Sequence, residues 1–116
     1  MTEPNILSSL SSALAETIAR AAPAIVSVHS HRARASGFVW KAGLIVTADE
    51  ALADEGEIEI QFADGSRRQA AVVGRDHTTD IALLRVESDV APIKLSTAVP
   101  ALGSLAVIVA ADRARR

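Results

Sequence analysis

Gly43-Leu-Ile-Val-Thr-Ala-Asp-Glu-Ala-Leu52 and Gly74-Arg-Asp-His-Thr-Thr-Asp-Ile-Ala-Leu-Leu84 are the two stretches from which the fold is read. Each begins at a glycine and carries a short run of aliphatic and β-branched residues, at 43–48 and at 81–86. Runs of this length and composition, bounded by Gly and Asp, read as β-strands. An acidic pair, Asp49 and Glu50, follows the first run, and Asp80 stands immediately before the second.

Working outward, further strands are expected near 24–30, 36–41, 57–62, 68–74 and 104–110. Ile58, Ile60 and Phe62 alternate with Glu57, Glu59 and Gln61, the pattern of a strand with one buried and one wet face. Ala63-Asp64-Gly65-Ser66 joins two such runs, and Asp-Gly between extended segments signals a hairpin. All six glycines fall at or beside proposed strand ends or turns, where positive φ is needed. Short strands with regular turn signals indicate a sandwich or a small barrel. The apolar run 101–110 is expected to be a fully buried strand.

Ahead of the strands, residues 5–21 read as an amphipathic helix, with Ile6, Leu10, Ala13, Leu14, Ile18 and Ala21 at helical spacing. Pro4 suits its first turn and Pro23 ends it. Its expected role is to cover one end of a sheet. The organisation is therefore an N-terminal helix at 1–22, an all-β barrel at 23–111 and a short basic tail at 112–116.

The bulk properties narrow the function. A chain of 116 residues with 49% apolar content supports one core, built from Val, Ile, Leu and Ala because only Phe38, Trp40 and Phe62 are aromatic. A net charge of -2 argues against a nucleic-acid binder. With no cysteine there is no disulfide, thiolate or cysteine–zinc chemistry. The N-terminus does not read as a signal peptide, and no apolar run is long enough for a membrane span, so the cytoplasm is the expected compartment.

Taken in order, these segments resemble the first barrel of an HtrA/Deg-type, chymotrypsin-like serine protease. Ala22-Pro-Ala-Ile-Val-Ser-Val28 resembles the entry to such domains, and Ser36-Gly-Phe-Val-Trp40 resembles the family's Gly-Ser-Gly-hydrophobic strand. The resemblance implies an all-β fold, a six- or seven-stranded antiparallel barrel preceded by a helix. It implies that Asp80 matches the catalytic Asp and that Glu50 stands where the catalytic His belongs. No counterpart of the Gly-Asn-Ser-Gly-Gly segment that carries the nucleophile occurs through Arg116.

Triad chemistry needs a hydroxyl, an imidazole to carry its proton and a buried carboxylate to orient that imidazole. Glu50 is a non-functional replacement, because two carboxylates brought together repel. Eleven serines are present, none in a nucleophile-elbow setting; Ser66 falls in the hairpin turn and Ser104 at a strand start. His77, close to Asp80 in sequence, is expected to point to solvent. His29 and His31 have the spacing to share one strand face, yet no third metal ligand is evident, and structural or surface roles are favoured. Asp49, Glu50 and Asp80 could gather around a hard cation, or Glu50 could turn outward; the outward reading is favoured. No cofactor and no metal is expected.

The function expected is an inactive protease-like domain acting as a binding, scaffolding or regulatory module. The alternatives are one half of a split serine endopeptidase whose Ser-bearing barrel comes from another chain, and a truncated reading frame with no selected function. The face normally packed on the second barrel is expected to be covered by a homodimer partner, by the helix or by another protein.

Overall fold

The computed structural model describes residues 5–111. Pro4, assigned above to the first helical turn, and the basic tail 112–116 lie outside the described residues. Six strands follow one helix: α1 (Ile6–Ala21), β1 (Ile25–Ser30), β2 (Ala33–Lys41), β3 (Leu44–Ala48), β4 (Ile58–Gln61), β5 (Arg67–Asp76) and β6 (Ile81–Val86). All neighbouring strands are antiparallel, and they close into a barrel in the order β1-β2-β3-β6-β5-β4, with β4 returning to β1.

Alternation along the strands builds the core. Val26 and Val28 of β1, Val39 of β2, Ile45 of β3, Ile60 of β4 and Leu84 of β6 are the largest fully buried side chains. Ile58, Ile60 and Phe62 point inward, as their spacing requires. The β4–β5 hairpin turns through Asp64-Gly65: Gly65 has φ +89, and Asp64 Oδ1 accepts from Ser66 N at 2.8 Å. That left-handed position is one glycine adopts at no steric cost.

Two glycine expectations change. Gly37 is not at a strand end needing positive φ. It lies inside β2 facing the core, where a Cβ would stand 2.8 Å from Val46 O and 3.0 Å from Ile45 Cγ2. Gly74 also has no positive φ; it marks the register shift in β5 after Val72. The requirement at Gly37 is close approach of two backbones, not conformational freedom.

The strand expected at 104–110 does not form. Residues 87–111 add no strand to the sheet, and Leu105 and Ile108 are exposed rather than buried. The barrel is already closed by the β1–β4 pairing, so no sheet edge remains to take a seventh strand. This segment instead crosses the barrel surface. Ile93 N donates to Val39 O at 2.9 Å, beside the register slip of β2, and Ala111 N donates to Ser36 Oγ at 2.9 Å.

α1 is well capped, with Asn5 Oδ1 accepting from Ser8 N at 2.6 Å. It covers less than expected: none of its residues is buried, and Ile6 and Leu7 are exposed. Only its last turns meet the barrel, near Ala24, Pro92 and Ile93. A helix of sixteen residues is about 24 Å long, and being rooted at Pro23 it carries its first turns away from the sheet. No helix among the described residues is long and apolar enough to cross a membrane.

Candidate functional site

The β3–β6 pairing decides which residues meet. Thr47 lies opposite Ala82 and Ala48 opposite Ile81, so the residues after β3 and before β6 emerge at the same end of the barrel. β3 passes into a single 3-10 turn, Asp49–Ala51. Asp80 has φ +58, a left-handed conformation that Asp tolerates better than most residues. From there its main chain accepts from Asp49 N at 3.1 Å, and its carboxylate Oδ1 accepts from Glu50 N at 2.8 Å.

Positions 50 and 80 are thus brought together, but through the main chain of one and the side chain of the other. The Glu50 residue is exposed, and no side-chain hydrogen bond or ion pair joins it to Asp80 among the described residues. The Asp80 carboxylate orients an amide.

The group at this end with the most partners is Asp49, 4% exposed. Arg75 Nε donates to its Oδ1 at 2.5 Å, and His77 Nδ1 meets its Oδ2. Arg75 also donates to Asp49 O at 3.2 Å, Leu52 O at 3.3 Å and Ala53 O at 3.3 Å, so one guanidinium satisfies the carbonyls of the turn that carries Glu50. The hydrogen bond from Arg75, with a smaller one from His77, holds the Asp49 carboxyl below its ordinary value of 3.8 against the opposing effect of burial. The same bond pushes the Arg75 guanidinium up.

His77 faces solvent, as expected for a loop histidine, but with a partner that the sequence did not indicate. Its side chain is 78% exposed, yet one ring nitrogen is tied to the buried carboxylate. The acidic trio does not converge: Asp49 is taken by Arg75 and His77, Glu50 faces out and Asp80 holds an amide. Among the described residues no group of three His, Asp or Glu side chains has metal-holding geometry. His29 and His31 do not share a strand face, because β1 ends at Ser30 and His31 turns away with φ +54. Ser66 is engaged in the hairpin, its Oγ donating to Asp64 Oδ1 at 2.6 Å. Ser104 sits in a turn, its N donating to Ala101 O at 3.1 Å.

Arg75 is the site residue that sequence reasoning missed, and Asp49, read there only as one of an acidic trio, is its partner. The register shift between Val72 and Gly74 resets the alternation of β5 and puts Arg75 opposite buried Ala82. The signal available in the sequence was Gly74 inside a strand, which often marks a bulge.

Comparison with known proteins gives a consistent picture. Residues 35–116 match the family profile described as "Trypsin-like peptidase domain". The chain is 42% identical over 59 residues to the "Probable periplasmic serine endoprotease DegP-like" of Pseudomonas putida, covering 50% of this chain and 12% of that protein. It is 31% identical over 88 residues to "Serine protease HTRA4" of Mus musculus, covering 66% of this chain and 18% of that protein. The crystal structure of the serine endoprotease from Yersinia pestis superposes with a TM-score of 0.72 at 28% identity, over 77% of this chain and 35% of that one. The matched region therefore amounts to less than a fifth of the two curated relatives.

Proposed function

The chain belongs to the trypsin-like peptidase domain family, and from that premise we propose that it serves as a protease-derived binding, scaffolding or regulatory module, silent as a peptidase at its Asp80 end. One observation carries the reading: Asp80 Oδ1 holds the main-chain amide of Glu50, and the side chain at position 50 is an exposed carboxylate instead of an imidazole. Peptide cleavage by a triad requires a base that accepts the hydroxyl proton near neutral pH and passes it to the leaving amine. A carboxylate at position 50 supplies no imidazole to carry that proton, and as an anion it repels Asp80 instead of being oriented by it. Loss of the imidazole from a triad lowers kcat by about a millionfold.

A binding role is supported by the apolar side chains left in the open. Ile6 and Leu7 of α1, and Val99, Leu102, Leu105 and Ile108 of the trailing segment, are between 72% and 107% exposed. Exposure of this kind suits a surface that receives another protein or a second copy of the chain. Turnover of fluorescent casein by the purified protein tests the silent-protease reading. None is expected, and turnover lost in Asp80→Ala would contradict it.

A second reading, one half of a split serine endopeptidase, draws support from the same hydrogen bond. An Asp80 carboxylate already fixed on residue 50 is a seat into which an imidazole at that position would fit. Glu50→His mixed with a Ser-bearing second barrel from a relative is expected to restore casein turnover if the scaffold is still competent. No turnover from that mixture withdraws the reading.

A further inference from the structure

Away from the Asp80 carboxylate, one group of side chains brings together a hydroxyl, an imidazole and a carboxylate from two paired strands. Ser27 and His29 are two residues apart on β1, so both stand on its outer face. His29 Nε2 lies 2.9 Å from Ser27 Oγ. The β1–β4 register sets Glu59 directly across from His29, and Gln61 across from Ser27. Glu59 Oε1 is 4.0 Å from His29 Nδ1, and Arg67 Nη1 fixes that oxygen from β5 at 3.0 Å. The His29 side chain is only 15% exposed although it faces outward. Ser27 and Gln61 also line a cavity of about 240 Å3 whose apolar walls include Ile18, Ile25, Phe62 and Val109.

A hydroxyl within hydrogen-bond reach of an imidazole, itself flanked by a third group, is the arrangement that activates a nucleophile; such contacts are often long before substrate binds. We propose that Ser27, His29 and Glu59 form a hydrolase-type site on the outer face of the barrel, acting on small esters of short apolar acids. The cavity beside Ser27 takes the acyl group, and its modest volume limits the chain length.

Ser27 Oγ adds to the ester carbonyl carbon as its proton passes to His29 Nε2. The bond from that carbon to the alcohol oxygen breaks, and His29 returns the proton to the departing alkoxide, leaving acyl-Ser27. Water then adds to the acyl carbon while giving a proton to His29. The bond to Ser27 Oγ breaks, the serine recovers its proton, and the carboxylic acid leaves. One ester and one water become one acid and one alcohol, with no change of oxidation state. The Gln61 side-chain amide offers a donor to the oxyanion.

Glu59 acts through His29 and is a positioning residue. Burial, then the charges of Arg34 and Arg67, hold the His29 imidazole below 6.5, in the neutral form a base requires; Glu59 works in the opposite direction. This inference is independent of the silent-protease reading, which concerns Asp80 and Glu50.

The test uses a fluorophosphonate probe and p-nitrophenyl butyrate on the intact chain, with circular dichroism confirming that each variant is folded. Intact mass is expected to show one adduct, mapped to the peptide holding Ser27 and absent from Ser27→Ala. Release of p-nitrophenolate should fall about 100-fold in His29→Gln, the usual scale of general-base assistance. Glu59→Gln should move the acid limb of the rate–pH profile to lower pH, because the carboxylate that raises His29 is gone. An unlabelled wild type, equal labelling of Ser27→Ala, ester hydrolysis indifferent to both substitutions, or an acid limb unmoved by Glu59→Gln overturns the proposal.

Discussion

The amide of Glu50 donates to Asp80 Oδ1 while the residue itself stays exposed, so positions 50 and 80 meet through a main-chain amide. The outward turn of Glu50 is legible in the linear chain, where the resemblance pairs positions 50 and 80 and residue 50 is read as a second carboxylate. The partnership of Asp49 with Arg75 and His77 is not, because it depends on the bulge at Gly74 that turns Arg75 toward the barrel end. Its consequence is a pH dependence. The folded Asp49 carboxyl lies below 3.8, so on acidification the unfolded chain takes up this proton first. The stability Asp49 contributes is complete above about pH 4 and is lost as pH falls through its folded value. Asp64 and Asp76, held low by hydrogen bonds from Ser66 and from Thr78 and Thr79, add to the same acid limb. Asp49→Asn should therefore narrow the difference between urea midpoints measured at pH 7 and pH 3 without abolishing it. An unchanged difference would show that the Asp49 network is absent in solution.

The strands themselves were readable where a two-residue period or a turn dipeptide marked them. Ile58 and Ile60 gave β4 its inner face, continued by Phe62 just past its end, and Asp64-Gly65 placed the hairpin. A barrel was expected from the resemblance, but which strands close it was not readable, since no local pattern says that β4 pairs with β1, and that pairing excludes the strand expected at 104–110. Apolar character alone could not tell a buried strand from an extended surface segment. Gly37 shows the same limit: its meaning comes from the neighbouring strand β3. A Cβ added there would meet a main-chain oxygen, Val46 O, at 2.8 Å, and backbone within a paired strand has little room to move. Gly37→Ala should cost about 1–3 kcal/mol, the usual range for overpacking a core. Chemical denaturation checks this, and a variant as stable as the wild type would mean that β2 and β3 lie farther apart.

On the scale of the whole molecule, the barrel carries two elements that it does not enclose. The radius of gyration is 16.4 Å, against about 13 Å for a compact chain of this length. The excess reflects α1, whose first turns stand clear, and the trailing segment with Leu102 and Ile108 in the open. If a second copy covers these residues, light scattering on a sizing column should give the mass of two chains, and Leu102→Asp with Ile108→Asp should return it to one. A wild-type mass of one chain would contradict self-association through these residues. The matched region spans only 12% and 18% of the two curated relatives compared, so nothing about their whole-protein activity carries over by similarity alone. The central claim, that a trypsin-like barrel with a carboxylate at position 50 no longer cleaves peptides, is tested most directly by fluorescent-casein turnover, measured side by side for the wild type and Asp80→Ala. The account predicts background rates for both. Wild-type turnover that Asp80→Ala abolishes would contradict it.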